Sequence, residues 1–266
     1  MATITASLVN ELRSKTGLGM MECKKMLAET EGDIDKAIEA FRKKGVKTSI
    51  MERAATEGRV SCQTRGNRAA AVEINCNTDF TAKSDTVAAL LDLGLKKLLD
   101  GVKELASDAE FAAALTAAAQ QTGENVQLGR TAVLEGNVGS YLYSTAGKGK
   151  IAVLMSFGSP VSDELARNLG MHIVAGRPVA LSREQVPADL VAKEREIAVE
   201  QAKATGKPQQ IAEKIAEGKL NAFFAERVLL DQDFINTDVF TGKVSDFVKK
   251  HGNTLTGYAR IEVGQH

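Results

Sequence analysis

Apolar residues recur at helical spacing three times at the start of the chain. Thr5-Ala6-Ser7-Leu8 opens a helix with Leu8, Val9 and Leu12 on one face, and Thr16-Gly17-Leu18-Gly19 breaks it. A second helix, from about Met20 to Glu29, groups Cys23, Met26 and Leu27. Gly32-Asp33 starts a third, with Ile34, Ala37, Ile38 and Phe41 on its apolar stripe. Together they predict a three-helix unit whose core is marginal alone. Lys43-Lys44-Gly45 and the polar stretch from Lys47 to Gly58 read as a linker, with the unit closing near residue 55.

The period then changes. Val72, Ile74 and Cys76 alternate with Glu73 and Asn75, the two-residue rhythm of a half-buried strand. Asn77-Thr78-Asp79 marks a turn or helix start, and Ser84-Asp85 caps a helix whose stripe is Val87, Leu90, Leu91, Gly94, Leu95 and Leu98. The same strand-then-helix pattern returns about eighty residues on: Ile151 to Phe157 is apolar, Ser159-Pro160 turns, and Ser162-Asp163 caps a helix with Leu165, Leu169, His172, Ile173 and Ala175. Repetition of the unit suggests two related subdomains. Glu124 to Tyr143 and Thr254 to Val263 would supply their remaining strands, giving an α+β protein with antiparallel sheets.

Two charged helical stretches between Pro187 and Glu226 flank Ala204-Thr205-Gly206-Lys207-Pro208, as in an antiparallel helical hairpin. Its thin seam, Leu190, Ile197 and Ala204 against Ile211 and Ile215, predicts an arm that projects from the body. The expected organisation is therefore residues 1–55 for the N-terminal helices and linker, 56–140 for the first core subdomain, and 141–266 for the second with hairpin 187–226.

Composition narrows the function. The 266 residues, 44% hydrophobic, suffice for one large or two small cores. Lys plus Arg and Asp plus Glu each total 34, so no global positive field favours nucleic acid. The longest apolar runs fall far short of the ~20 residues that span a bilayer, and Met1 to Asn10 lacks a signal-peptide pattern. Cys23, Cys62 and Cys76 are odd in number and widely spaced, which fits reduced thiols in a cytoplasmic protein.

Most catalytic chemistry finds no foothold. A P-loop needs a glycine five residues before a Gly-Lys pair. The pairs starting at Gly147, Gly149, Gly206, Gly218 and Gly242 have Leu142, Ser144, Gln201, Glu213 and Thr237 there instead. Gly147-Lys148-Gly149-Lys150 could hold a phosphate on backbone N–H groups, but a solvated hairpin turn is the better-supported reading. His172, His251 and His266 are too scattered for a zinc site, and His172 sits on an apolar stripe as a core histidine would. Cys76 beside Asp79 has no evident activating base, so a buried strand cysteine is favoured over a nucleophile. No cofactor or metal is expected.

Two features point to protein contact. Asp79-Phe80 lies in a connector between strand and helix, where an exposed aromatic ring would serve as an interface anchor. The alternative, slightly favoured by spacing alone, packs Phe80 against Val87 or Leu90. Met20-Met21, after a glycine-containing turn, offers a second adaptable surface, although methionine at helical spacing is more often core.

Leu12-Arg13-Ser14-Lys15-Thr16-Gly17-Leu18-Gly19-Met20-Met21-Glu22-Cys23-Lys24-Lys25 and Glu73-Ile74-Asn75-Cys76-Asn77-Thr78-Asp79-Phe80 closely resemble the two signatures of the bacterial elongation factor Ts family. The resemblance runs on through Glu31-Gly32-Asp33, Ala55-Thr56-Glu57-Gly58, Ile211-Ala212-Glu213-Lys214 and Gly257 to Gly264, nearly the whole chain. It implies a ubiquitin-associated-like three-helix domain, two related α+β subdomains and a protruding hairpin. It further implies guanine-nucleotide exchange on elongation factor Tu, without covalent chemistry and without direct contact to nucleic acid, membrane or a small-molecule substrate. By the same resemblance Thr78, Asp79, Phe80 and Thr81 would disturb the partner's Mg²⁺ and phosphate site, while Arg13, Met20 and Met21 would engage its GTPase domain. Departures are local: Thr81 replaces a usual valine, Met26 an alanine and Ala222 a lysine. Between Tyr141 and Lys150 the histidine common in the family is absent, so no histidine role is transferred. Two competing readings are an enzyme using Cys76 and Asp79, and a helical protein-binding module on a structural body without exchange activity.

Overall fold

The structure is a computed structural model that describes residues 4–16, 18–44, 54–204 and 209–265. Its first three helices are α1 (Ala6–Thr16), α2 (Met20–Glu29) and α3 (Ile34–Lys43), close to the pattern-based ranges. Asp33 caps α3 by accepting the Lys36 N–H at 3.0 Å, and Thr16 ends α1 with its hydroxyl on the Leu12 carbonyl at 2.7 Å. Val9, Leu12, Leu18, Cys23, Met26, Leu27, Ala37 and Phe41 form a separate small core. Of the expected linker, residues 45–53 lie outside the described residues, and Glu57 and Gly58 already belong to a strand.

Among the described residues the body contains two three-stranded antiparallel sheets built along the same path. The first has order β1 (Glu57–Arg65), β2 (Arg68–Cys76), β3 (Gln127–Glu135). The second has order β4 (Asn137–Thr145), β5 (Lys148–Phe157), β6 (Leu255–Glu262). In each, a hairpin is followed by helices, and the last strand returns to pair with the middle one. After β2 come α4 (Asp79–Lys83), α5 (Asp85–Leu99) and α6 (Ala109–Thr122). After β5 come α7 (Asp163–Gly176), the hairpin α8 (Ala188–Lys203) and α9 (Gln209–Arg227), and α10 (Val244–Lys250). The fold is α+β. Among the described residues no helix is long and apolar enough to cross a membrane.

The two sheets pack face to face, and this corrects the half-buried reading of β2. Ala70, Val72, Ile74 and Cys76 face α5 and α6, while Ala69 and Ala71 join Val60, Val138, Ala152, Leu154 and Ile261 between the sheets. Both faces of β2 are therefore covered, and Glu73 is only 2% exposed. That burial is tolerated because Arg130 answers the carboxylate from its backbone N–H at 3.2 Å and its guanidinium at 2.9 and 3.3 Å. Opposite, Ile151, Val153, Met155 and Phe157 of β5 face α7 and α10. Strand β1 is not visible in the hydrophobic pattern because it is largely polar, with Val60 its buried apolar contact. Helix α6 is likewise absent from the pattern, since its alanines give weak periodic contrast despite the Asp108 cap on Phe111 N–H at 2.9 Å.

Hairpin α8–α9 shares only part of the expected seam: Leu190 packs against a buried cluster and Ile215 is half-buried, while Ala204 is exposed. Ile197 and Ile211 are exposed, and the buried positions are Ala198 and Ala202 against Ala216 and Leu220. The proposed turn residues 205–208 lie outside the described residues.

Candidate functional site

The strand-to-helix turn after β2 is held from several sides. Thr78 is extended (φ −126°, ψ 153°) and caps α4, its hydroxyl accepting the Thr81 N–H at 3.2 Å. That hydroxyl donates to Glu124 Oε1 at 2.6 Å, and Glu124 Oε2 accepts the N–H groups of Asn77 and Thr78, each at 3.0 Å. Asn77 accepts the Asn125 N–H at 2.8 Å and donates to the Ala54 carbonyl at 2.6 Å. Ser84 closes α4, donating to the Thr81 carbonyl at 2.7 Å, and opens α5 by accepting the Val87 N–H.

Within this frame α4 turns Ala82 into the core and Phe80 away from it, the two being roughly 200° apart around the helix. Phe80 is 89% exposed, so the packing alternative against Val87 or Leu90 is overturned. The connector is moreover a short helix, which gives the ring a defined direction. Asp79 remains partly exposed and pairs with Lys83 at 2.6 Å and with Lys148. These two lysine contacts hold its carboxyl down at about 2. Thr81 is partly buried.

Lys148 corrects the solvated-turn reading of Gly147-Lys148-Gly149-Lys150. Ala146 and Gly147 make a two-residue hairpin turn with φ of 50° and 74°, as expected for that chemistry. Lys148, however, is 2% exposed, and its ammonium meets Asp79 and, at 3.2 Å, Glu57. Burial disfavours its charge, but the bonds to these carboxylates outweigh that and raise its pKa. Gly149 faces the other sheet so closely that a Cβ there would stand 2.0 Å from the Val60 carbonyl oxygen. The run is an inter-sheet contact, and Lys148 is committed to carboxylates. Lys148, Glu57 and Glu124 were missed as site-shaping residues. The Gly-Lys run was the available signal for the first, and long sequence separation hides the other two.

Met20 and Met21 stand at the start of α2, 53% and 75% exposed, so they are surface and not core. Arg13 is exposed on α1. These three lie on the N-terminal helices, whose apolar cluster is distinct from the one beneath α4. The candidate residues therefore fall into two groups.

The enzyme-like alternatives fare poorly in this geometry. Burial, reinforced by the Glu124 charge, pushes the Cys76 thiol up to about 11, and its Sγ lies 3.3 Å from the Thr78 carbonyl oxygen as a donor. That is the opposite of thiolate activation. His172 is a satisfied core residue: Nδ1 accepts the Ile235 N–H at 3.2 Å, which leaves Nε2 to donate to Gln232 Oε1 at 2.9 Å. Among the described residues no cluster of three or more His, Cys, Asp or Glu side chains is placed to hold a metal ion.

A family model described as Elongation factor TS matches residues 77–265, starting at the turn that carries Thr78, Asp79 and Phe80. Proteins named Elongation factor Ts are similar over almost the full length. The one from Teredinibacter turnerae is 39% identical over 98% of this chain and 91% of its own. That from Saccharopolyspora erythraea is 39% identical over 100% of both, and that from Pasteurella multocida 40% identical over 100% of this chain and 93% of its own. The chain belongs to the elongation factor Ts family. Membership places it among the translation elongation factors of protein biosynthesis. The elongation factor Ts matches to whole relatives include the N-terminal helices, which lie outside the region matched by the family model.

Proposed function

We propose that this protein is a guanine-nucleotide exchange factor for elongation factor Tu, working by binding and not by covalent chemistry. The observation that carries the reading is Phe80, 89% exposed on a capped and tethered helix inside the family's signature segment. In this reading Phe80 wedges beside the GTPase's nucleotide site, with Asp79 and the flanking Thr78 and Thr81 supplying polar contacts that disturb Mg²⁺ and phosphate binding. Arg13, Met20 and Met21 make a second contact with the GTPase domain, and the second core subdomain holds another domain of the partner.

The physical content is linkage. A factor that weakens GDP binding is itself bound more weakly by the same ratio when GDP is present, each tenfold corresponding to about 1.4 kcal/mol. Exchange then runs through a transient ternary complex, and the GTP-to-GDP ratio sets its direction.

The test is release of fluorescent GDP from elongation factor Tu in excess unlabelled nucleotide, with and without catalytic amounts of this protein. Large, saturable acceleration is expected. Stable binding without acceleration would instead favour a protein-binding module lacking exchange activity, a reading the exposed Met20 and Met21 also suit.

A further inference from the structure

We propose that Lys148 is a positioning residue for exchange: reaching from the β4–β5 hairpin, its ammonium holds the Asp79 carboxylate and thereby sets the direction in which α4 presents Phe80. The proposal rests on the exchange reading above and adds to it a residue outside the signature segment.

Three observations converge. Helix α4 has only five residues, too few to be stable by itself, so its orientation is set by what anchors it. Phe80 is too exposed for packing to fix it; Ala82 seats the helix on the core and Glu124 holds its cap residue Thr78, but neither ties it to the second sheet. Asp79, three residues before Ala82 and so about 60° from it around the helix, is bonded to Lys148, 69 residues further along and part of the other sheet.

Lys148 is built for restraint. An ammonium that is 2% exposed must be paired, and it meets Glu57 of β1 at 3.2 Å as well as Asp79. The remaining charges around the group are Lys83 on α4, Lys150 on β5, 3.9 Å from Glu57, and Glu124 after α6. Lys83 also bonds Asp79, but it sits on the same helix and cannot orient that helix against the body. A helix ordered in advance loses less conformational freedom when it meets its partner. Tethering therefore acts on the step in which Phe80 engages, more than on association through other surfaces.

The experiment uses the full chain with Lys148→Met, which keeps the long apolar stem and removes the charge. The saturated rate of GDP release from elongation factor Tu is expected to fall about tenfold, with the half-saturating concentration changed less than about threefold. Lys148→Met combined with Asp79→Asn should be no slower than Asp79→Asn alone, because both cut one tether. Wild-type turnover by Lys148→Met, or losses that multiply in the double variant, would overturn the proposal. Should Lys148→Met fail to fold, Glu57→Gln removes the second anchor from the surface and is expected to slow release about two- to threefold, with an unchanged rate counting against the tether.

A separate readout needs no partner: the Asp79 side-chain carboxyl carbon, followed by NMR, should titrate near 2 in the wild type and move toward 3.8 in Lys148→Met. An unmoved midpoint would overturn the tether. A wild-type protein that leaves GDP release unchanged would instead remove the exchange reading, whatever the titration shows.

Discussion

An aromatic ring left in water on an otherwise anchored turn has value only in contact with something else. Phe80 belongs to no buried cluster, so Phe80→Ala should leave the cooperative melt in place while slowing GDP release from elongation factor Tu by a hot-spot amount, ~2 kcal/mol or more. Loss of the melt would make the ring structural. His172 shows the opposite disposition, a polar ring wholly used inside. Burial lowers its pKa below the ordinary 6.5, with the Gln232 bond opposing only in part. The unfolded chain therefore binds the proton more readily, so the stability held by the neutral ring is present above about 6.5 and is lost as pH falls toward the folded pKa. Thermal melts should drop across that window in the wild type and drop less in His172→Gln. Carboxylates such as Asp79, depressed to about 2, titrate in a lower and separate range. Both side chains were singled out from sequence. His172 was legible because an isolated histidine on an apolar stripe has few other options, whereas exposure of Phe80 depended on which way a five-residue helix turns, which spacing alone could not decide.

Helices with strong stripes and side-chain caps were the most legible elements. Helices α2, α5 and α7 follow Cys23, Met26 and Leu27, the Ser84 cap and the Ser162 cap almost residue for residue. Strands were harder, since β1 carries Arg59, Gln63 and Arg65 and owes its place to pairing with β2, not to its own hydrophobicity. Hairpin α8–α9 failed for a related reason. A heptad reading rewards large residues, yet Ala198, Ala202 and Ala216 are buried there beside Leu220, while Ile197 and Ile211 face out. Ala198→Leu should therefore overpack that seam and cost about 1–3 kcal/mol. Hydrogen exchange would then quicken in α8 and α9 while β2 and β5 stay protected. Loss of protection in the sheets would show that the hairpin supports the core.

At the scale of the molecule, two sheets are pressed together and pinned at their margins. Arg130 of β3 binds buried Glu73 and also donates to the Glu262 carbonyl of β6 at 2.5 Å, and Thr64 donates to Ser140 across the sheets at 2.9 Å. Arg130→Met should cost about 3–5 kcal/mol by leaving the Glu73 carboxylate buried and unanswered, which a denaturant melt would read; restoration by Glu73→Gln in the same chain would confirm the cause. This cross-sheet pairing was invisible in the sequence, where Glu73 reads as the polar beat of a half-exposed strand. Recurrence of the strand-and-helix unit was visible, but not the way its copies meet. Between β3 and β4 the chain spends a single residue, Gly136, and among the described residues every strand before it belongs to one sheet and every strand after it to the other. Each half thus completes its own sheet, and the halves meet through an apolar face of Val60, Ala69, Ala71, Val138, Ala152, Leu154 and Ile261, as subunits of a pseudo-dimer would. The covalent link at Gly136 supplies local concentration and little architecture. Cutting it would leave both hydrogen-bonded sheets intact and make the core's assembly depend on protein concentration.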